Sequence, residues 1–317
     1  MPIKIKMLNV GDADAIVVQL RKNNEQLNIV VDGGRSQSHA DRIIDYFEDL
    51  RIRPQILICT HLDQDHIGGL GYILEKYHQG IQGIWTHLPE KHEPSFKSWL
   101  KQERVVQLTH FGKVDERTEQ LYASVQDLEN FVLIAERFGL KHLLFEPFSD
   151  ETQRVDSFCD KWGIKILGPS ASFYTELVPH FHRAYKKQLY EYEKAQIDPC
   201  SRIGKEGYDR PENESSLIFK ISDGGKDYLF TGDAGLMALG KIADKLGKIY
   251  WLKVPHHGSR ENLNEELIRR LSPAVCHISA DGRNGHPDEN LIACLRAHKA
   301  ATVRCTGLEN SDLVEEG

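Results

Sequence analysis

The stretch His61-Leu62-Asp63-Gln64-Asp65-His66 places two imidazoles and two carboxylates within six residues, and Gly68-Gly69 follows directly. Four ionisable groups gathered out of water would be costly without an ion between them, so these residues read as ligands of divalent cations rather than as packing. Further donors stand downstream in Gly232-Asp233, in Pro255-His256-His257-Gly258-Ser259 and in Gly285-His286-Pro287. The first stretch therefore reads as half of a metal site, and the later groups are candidates for its other donors.

Each group of donors follows a segment able to hold it rigidly. Ile56-Leu57-Ile58-Cys59 is a short apolar run suited to a strand buried on both faces, and the first ligands begin where it stops. Leu217 to Ile221 and Asp227 to Phe230 flank Ser222-Asp223-Gly224-Gly225, a hairpin that runs into Asp233. Ile249 to Val254 leads into His256-His257, and Ala274 to Ser279 leads into the loop that carries Asn284 and His286. Upstream, Ile3 to Val10, Ala15 to Leu20 and Leu27 to Val31 read as strands. Asp32-Gly33-Gly34 follows, and Ser38 to Leu50 is an amphipathic helix. Asp32 is expected to cap its turn or to support the metal site, and Asp12 and Asp14 to be turn residues. The alternation indicates a layered α/β architecture with its chemistry at strand ends.

The chain of 317 residues carries a formal net charge of -7, which argues against a broad basic face for duplex binding by counterion release. It does not exclude a nucleic-acid substrate, because bound cations dominate the field of a site lined by acids. No apolar run approaches the roughly 20 residues a membrane span needs. The N-terminus lacks the pattern of a signal peptide, so the expected location is the cytoplasm. Six cysteines without CxxC pairing are expected to be buried thiols. Residues 87–160, charged and mainly helical, and 185–210, polar and tyrosine-rich, read as insertions on a single domain covering 1–317.

Taken together, His61-x-Asp63-x-Asp65-His66-x-Gly68-Gly69, Gly232-Asp233, His256-His257-Gly258-Ser259 and Gly285-His286-Pro287 resemble the metallo-β-lactamase fold superfamily. Within it they resemble the hydrolase domain of ComEC-type DNA-uptake proteins and its stand-alone relatives. The resemblance runs from Asn9-Val10-Gly11 to Val303-Arg304-Cys305-Thr306 and implies a four-layer αββα sandwich with helical insertions. The superfamily's usual HxHxDH is HxDxDH here, as in the ComEC-like branch. Asn213-Glu214-Ser215-Ser216 stands where the wider superfamily has a further ligand histidine, and Ala234-Gly235 stands where relatives often have an acid.

The resemblance implies one metal held by His61 and Asp63, a second by Asp65 and His66, and Asp233 bridging both. One histidine of the His256-His257 pair completes the second site. His257 is favoured as that ligand and His256 as a proton donor to the leaving group, with Asp65 beside it in the catalytic set, but the sequence leaves the choice open. His286, Ser259 and Asn284 are candidates for binding a substrate phosphate. Exchanging an imidazole for Asp63 hardens one site, so manganese stands beside zinc. The expected function is a dinuclear phosphodiesterase or nuclease acting on nucleic acid or a nucleotide-derived substrate. Two alternatives stand beside it. One is hydrolysis of a phosphorylcholine ester, lactone or thioester; the other is a metal-stabilised regulatory subunit that binds a protein partner through the insertions.

Overall fold

A computed structural model describes residues 1–181, 198–204, 210–298 and 302–317. The N-terminal half supplies strands β1 (Ile3–Met7), β2 (Ala15–Lys22), β3 (Glu25–Gly33), β4 (Ile56–Ile58), β5 (Gly83–Trp85) and β6 (Leu144–Phe145). The C-terminal half supplies β7 (Ile164–Gly168), β8 (Ile218–Asp223), β9 (Lys226–Phe230), β10 (Trp251–Lys253), β11 (Val275–Ile278), β12 (Thr302–Cys305) and β13 (Leu313–Glu316). They form two sheets, in the orders β13-β1-β2-β3-β4-β5-β6 and β12-β11-β10-β9-β8-β7. The last strand thus returns to close the edge of the first sheet beside β1.

Alternation along the strands makes the layers. In β2, Ile16, Val18 and Leu20 enter a core that also holds Leu217, Phe219, Tyr228, Phe230 and Trp251 of the second half, so this apolar layer lies between the sheets. Ala15 and Val17 face the other way, onto Ala40, Ile43 and Phe47 of the helix Gln37–Leu50. The outer face of the second sheet packs Leu229, Leu252 and Cys276 against Leu239, Ile268 and Leu295 of three helices. Helix, sheet, sheet and helix therefore stack in four layers, as expected.

The expected hairpin forms, with β8 and β9 antiparallel and Asp223 opposite Lys226. Around the site the strands are parallel: β4 lies between β3 and β5, and β10 between β9 and β11. Their carboxyl ends consequently open on one region, where the ligands sit. Gly68 and Gly69 permit a close approach there. A Cβ on Gly69 would stand 1.9 Å from Gly33 O, and one on Gly68 2.2 Å from Arg35 O. The glycine pair therefore lets the ligand turn press on the backbone at the end of β3.

Residues 87–160 hold the helices Phe96–Phe111 and Glu116–Arg137 but also the edge strand β6. Leu128, Phe131 and Ala135 of the second helix belong to the main core outside the first sheet. Of 185–210, only 198–204, with the short 3-10 turn Pro199–Arg202, and Arg210 are among the described residues. The expectation of six free thiols needs correction. Cys59, Cys159, Cys276 and Cys305 are free and buried, whereas Cys200 and Cys294 are disulfide-bonded across a sequence separation of 94. The fold brings their Cα atoms to 4.9 Å, a proximity no local spacing signals.

Candidate metal centre

Thr60, just past β4, is pinned from below. Its backbone N–H and its hydroxyl both donate to the Asp32 carboxylate, at 2.8 and 2.7 Å. Asp63 is extended and precedes the helical turn Gln64–Ile67, yet its carboxylate makes no capping bond and is directed instead to a guanidinium and an imidazole. These are Arg210, at 3.3 Å, and His61 Nε2, at 3.9 Å. One turn of helix then brings Asp65 and His66 round to the same place.

Ligand atoms of Asp65, His66, Asp233 and His257 all lie within 4.8 Å of one another. His257 Nε2 is 3.0 Å from Asp65 Oδ2, and His66 Nε2 is 3.3 Å from Asp233 Oδ2. The His61 ring lies against the His66 ring with centroids 4.1 Å apart. Buried His61 Nε2 has no hydrogen-bond partner among the described residues, and His66 Nε2 faces Asp233 without hydrogen-bond geometry. Two buried nitrogens aimed at clustered carboxylates without being satisfied by them fit a cation between them.

Deeper groups fix these rings. His66 Nδ1 lies 2.8 Å from Asp32 Oδ2, and His257 Nδ1 lies 2.8 Å from Ser279 O. Each contact assigns the proton to Nδ1 and turns Nε2 toward the cluster. Asp32 therefore supports the site from beneath, one of its two expected roles. Asp14 departs from its expected turn role: it is buried and ion-pairs with Lys253, and its carboxylate is 3.7 Å from His66 Nδ1. Lys253, 1 % exposed, also donates to Gly232 O at 2.7 Å and stands 3.2 Å from Asp233 Oδ1.

His256 occupies a different position from His257. Its backbone N–H donates to Asp233 Oδ1 at 3.2 Å, and its Nδ1 is 3.2 Å from both Asn262 Oδ1 and Asn213 Nδ2. Both histidines have left-handed backbones, φ 47° and 52°, which send the two rings apart, one into the cluster and one along the cleft. The cleft encloses about 700 Å³ and is lined by Asp63, Asp65, His256, His257, Asn284 and His286, together with Arg35, Arg117, Arg210 and Arg283. Asn284 donates to Asp12 Oδ2 at 2.7 Å and the Asp281 N–H donates to Asp12 Oδ1, so the Asp12 side chain, expected to serve its own turn, holds a distant loop instead. Ser259 does not line the cleft; it is buried, with its hydroxyl accepting from the Glu261 N–H.

The electrostatics of the cluster ask for positive charge. Burial alone would lower the His66 imidazole, but Asp233 and Asp32 outweigh it and hold the group well above its usual range. His257 is likewise lifted to about 9 by Asp233 and Asp65 against burial. Burial would raise the carboxyls of Asp65 and Asp233, yet the neighbouring imidazoles hold both below the ordinary range, with Lys253 adding to the effect on Asp233. Protons on imidazoles here occupy the electrostatic role a bound cation would take over.

The metallo-beta-lactamase superfamily model matches residues 8–163. This chain has the metallo-β-lactamase fold. The matched stretch contains His61, Asp63, Asp65 and His66 and ends before Asp233 and His257, so their place in the cluster rests on the geometry above. ComE operon protein 3 of Bacillus subtilis is 32% identical over 97 residues, 29% of this chain and 12% of that protein. Recombination protein 2 of Haemophilus influenzae is 34% identical over 94 residues, again 29% of this chain and 12% of that protein. The aligned region thus spans about an eighth of each relative. The metallo-β-lactamase fold protein YhfI of Bacillus subtilis aligns over 100% of both chains at 12% identity and a TM-score of 0.45.

Four contributors to this metallo-β-lactamase-fold site were not singled out in the sequence: Lys253, Arg210, Asn262 and Asp14's buried pairing. Lys253 left a signal, a lone charge inside the apolar run Tyr250-Trp251-Leu252-Lys253-Val254. Asn262, whose amide donates to Asp233 O at 3.0 Å, left none.

Proposed function

We propose that the chain is a dinuclear metal-dependent phosphodiesterase, with nucleic acid or a nucleotide-derived molecule as substrate. The observation that carries the reading is the acid-rich donor cluster of Asp65, His66, Asp233 and His257 at the floor of a cleft with four arginines. In this proposal His61 and Asp63 hold one ion, Asp65, His66 and His257 hold the other, and Asp233 serves both. Zinc and manganese both suit these donors. Bound there, the ions would supply a nucleophile at neutral pH and stabilise the charge that develops on the attacked group.

The chain's own groups do the rest. Asp65 would serve as a ligand beside His257, whose Nε2 lies 3.0 Å from Asp65 Oδ2, while Ser279 O orients the His257 ring through Nδ1. Burial lowers the His256 imidazole, so it is neutral at neutral pH and suited to pass a proton to the leaving oxygen. His286 and Asn284 on the cleft wall contact the phosphate, and the arginines hold its flanking charges. Ser259 has a supporting role in the loop. The printed name of the relative Recombination protein 2 favours nucleic acid over other esters. We further propose one domain over 1–317, cytoplasmic, with a protein partner meeting it through residues 87–160.

The test is turnover of an activated phosphodiester, a phosphomonoester and a lactone by protein loaded with zinc or manganese. Phosphodiester hydrolysis that disappears in Asp65→Ala and Asp233→Ala supports the reading. Unchanged turnover in both variants, or a preference for the lactone, would overturn it.

A further inference from the structure

The Cys200–Cys294 pair has a third ligating neighbour. Ligand atoms of Cys200, Cys294 and His298 lie within 4.8 Å of one another. Cys294 belongs to the helix Glu289–Ala297 and His298 caps its end, so the two stand four residues apart, on the same helical face. Cys200 comes to them from the short turn Pro199–Arg202, and both cysteines are buried. Glu265 Oε1 lies 3.2 Å from His298 Nε2, on the imidazole side of this group. A disulfide serving only as a staple has no need of an imidazole against its sulfurs. Two thiolates and an imidazole are, however, three of the four donors a tetrahedral thiophilic ion takes, with the fourth position open to solvent or to Glu265.

We propose that Cys200, Cys294 and His298 form a second metal site, separate from the cleft, that takes a zinc-class divalent ion when the disulfide is reduced. Glu265 completes or orients the set. Reduction by a phosphine breaks the Sγ–Sγ bond with two electrons from phosphorus; water supplies the oxygen of the phosphine oxide and the two protons of the thiols. Metal binding then releases those protons to solvent. Whether sulfur bonds to sulfur or to metal, the segment holding Cys200 stays joined to the helix Glu289–Ala297. That segment precedes Arg210 and the helix follows the Asn284–His286 loop, so both redox states tie together two walls of the cleft. The second site is independent of what the cleft hydrolyses.

Cobalt titration tests it, because thiolate ligation gives a sulfur-to-cobalt charge-transfer band that carboxylate and imidazole ligands do not. Protein reduced with a phosphine, freed of it without air and checked by thiol titration should develop the band with one cobalt equivalent beyond those bound by the cleft. Unreduced protein should not develop it. Cys200→Ser and Cys294→Ser should lose the band, and His298→Ala, which keeps both thiols, should weaken the cobalt affinity at least about tenfold. Fully reduced, folded wild-type protein that shows no band at saturating cobalt would overturn the site. So would a band that survives in the double variant Cys200→Ser/Cys294→Ser, since it would then come from another cysteine such as Cys59.

Discussion

His66 Nδ1 stands 2.8 Å from Asp32 Oδ2, and the same carboxylate takes both the hydroxyl and the backbone N–H of Thr60. One acid at the end of β3 thus sets the orientation of a ligand ring and of the backbone from which the ligand turn departs. Asp32 has φ 59°, a left-handed backbone that asparagine tolerates well, so Asp32→Asn changes the charge and hydrogen bonding with little strain. The variant should fold and bind zinc about 10–100-fold more weakly, because the ring loses its charged acceptor. Calorimetric titration of zinc into chelator-stripped protein measures this, and an affinity equal to wild type would show that Asp32 supports only the turn.

Lys253 is the fixed cation beneath the site, ion-paired with Asp14 and 3.2 Å from Asp233 Oδ1. Removing one member of a buried charge network leaves its partners uncompensated, at a cost of about 3–5 kcal/mol. Lys253→Met should therefore lower the urea stability of metal-free protein by that order. Added zinc should restore part of the loss, since the ion supplies charge to the same carboxylates. A variant as stable as wild type in the presence of chelator would show that Asp14 and Asp233 are already neutralised otherwise.

The sequence made legible what strands dictate locally. An apolar run ending in His-x-Asp-x-Asp-His, and a glycine-turned hairpin ending in Gly-Asp, place donors at strand ends because strand geometry is regular over a few residues. Parallel neighbours β3, β4 and β5, and β9, β10 and β11, then bring those ends together. What stayed illegible depends on distant pairing. Asp12 and Asp14 share a turn, yet one meets the Asp281–Asn284 loop while the other is buried against Lys253. Cys200 meets Cys294 only because a surface turn docks on a helix from the far end of the chain. The separation of His257 from His256 rests on two left-handed backbones that the dipeptide does not announce.

Two histidines away from the metal ligands should make the protein acid-sensitive. His87 is buried against Phe148 and Tyr174, with ring centroids 4.7 and 4.6 Å away, and burial lowers its imidazole to about 4. His277 in β11 is lowered to about 4, chiefly by burial and then by Arg304. Because the folded values lie below the ordinary 6.5, the neutral form favours the fold. Its full contribution is present above pH 6.5, is lost as pH falls toward about 4, and changes little below that. Each group should contribute a slope approaching about 1.4 kcal/mol per pH unit within that window. Urea unfolding across it, with metals chelated, should show a shallower pH dependence for His87→Gln than for wild type. Equal slopes would mean that His87 stays neutral in the unfolded chain or takes its proton without cost.

Gly69 and Gly240 separate a glycine required by packing from one that is not. A methyl on Gly69 would stand 1.9 Å from Gly33 O, backbone against backbone, where no side chain can swing aside. Gly69→Ala should thus push the ligand turn off β3 and cost about 3 kcal/mol or more, the upper range for overpacking. Gly240 lies inside the helix Leu236–Ala243, and a methyl group added there would meet nothing within 4 Å among the described residues. Gly240→Ala should stabilise the chain by about 0.5–1 kcal/mol through helix propensity and a less flexible unfolded state. Urea midpoints for the two variants should therefore move in opposite directions from wild type. A Gly69→Ala midpoint within error of wild type would mean that the ligand turn is not pressed against the end of β3, and the rigid seating of Asp65 and His66 would lose its cause.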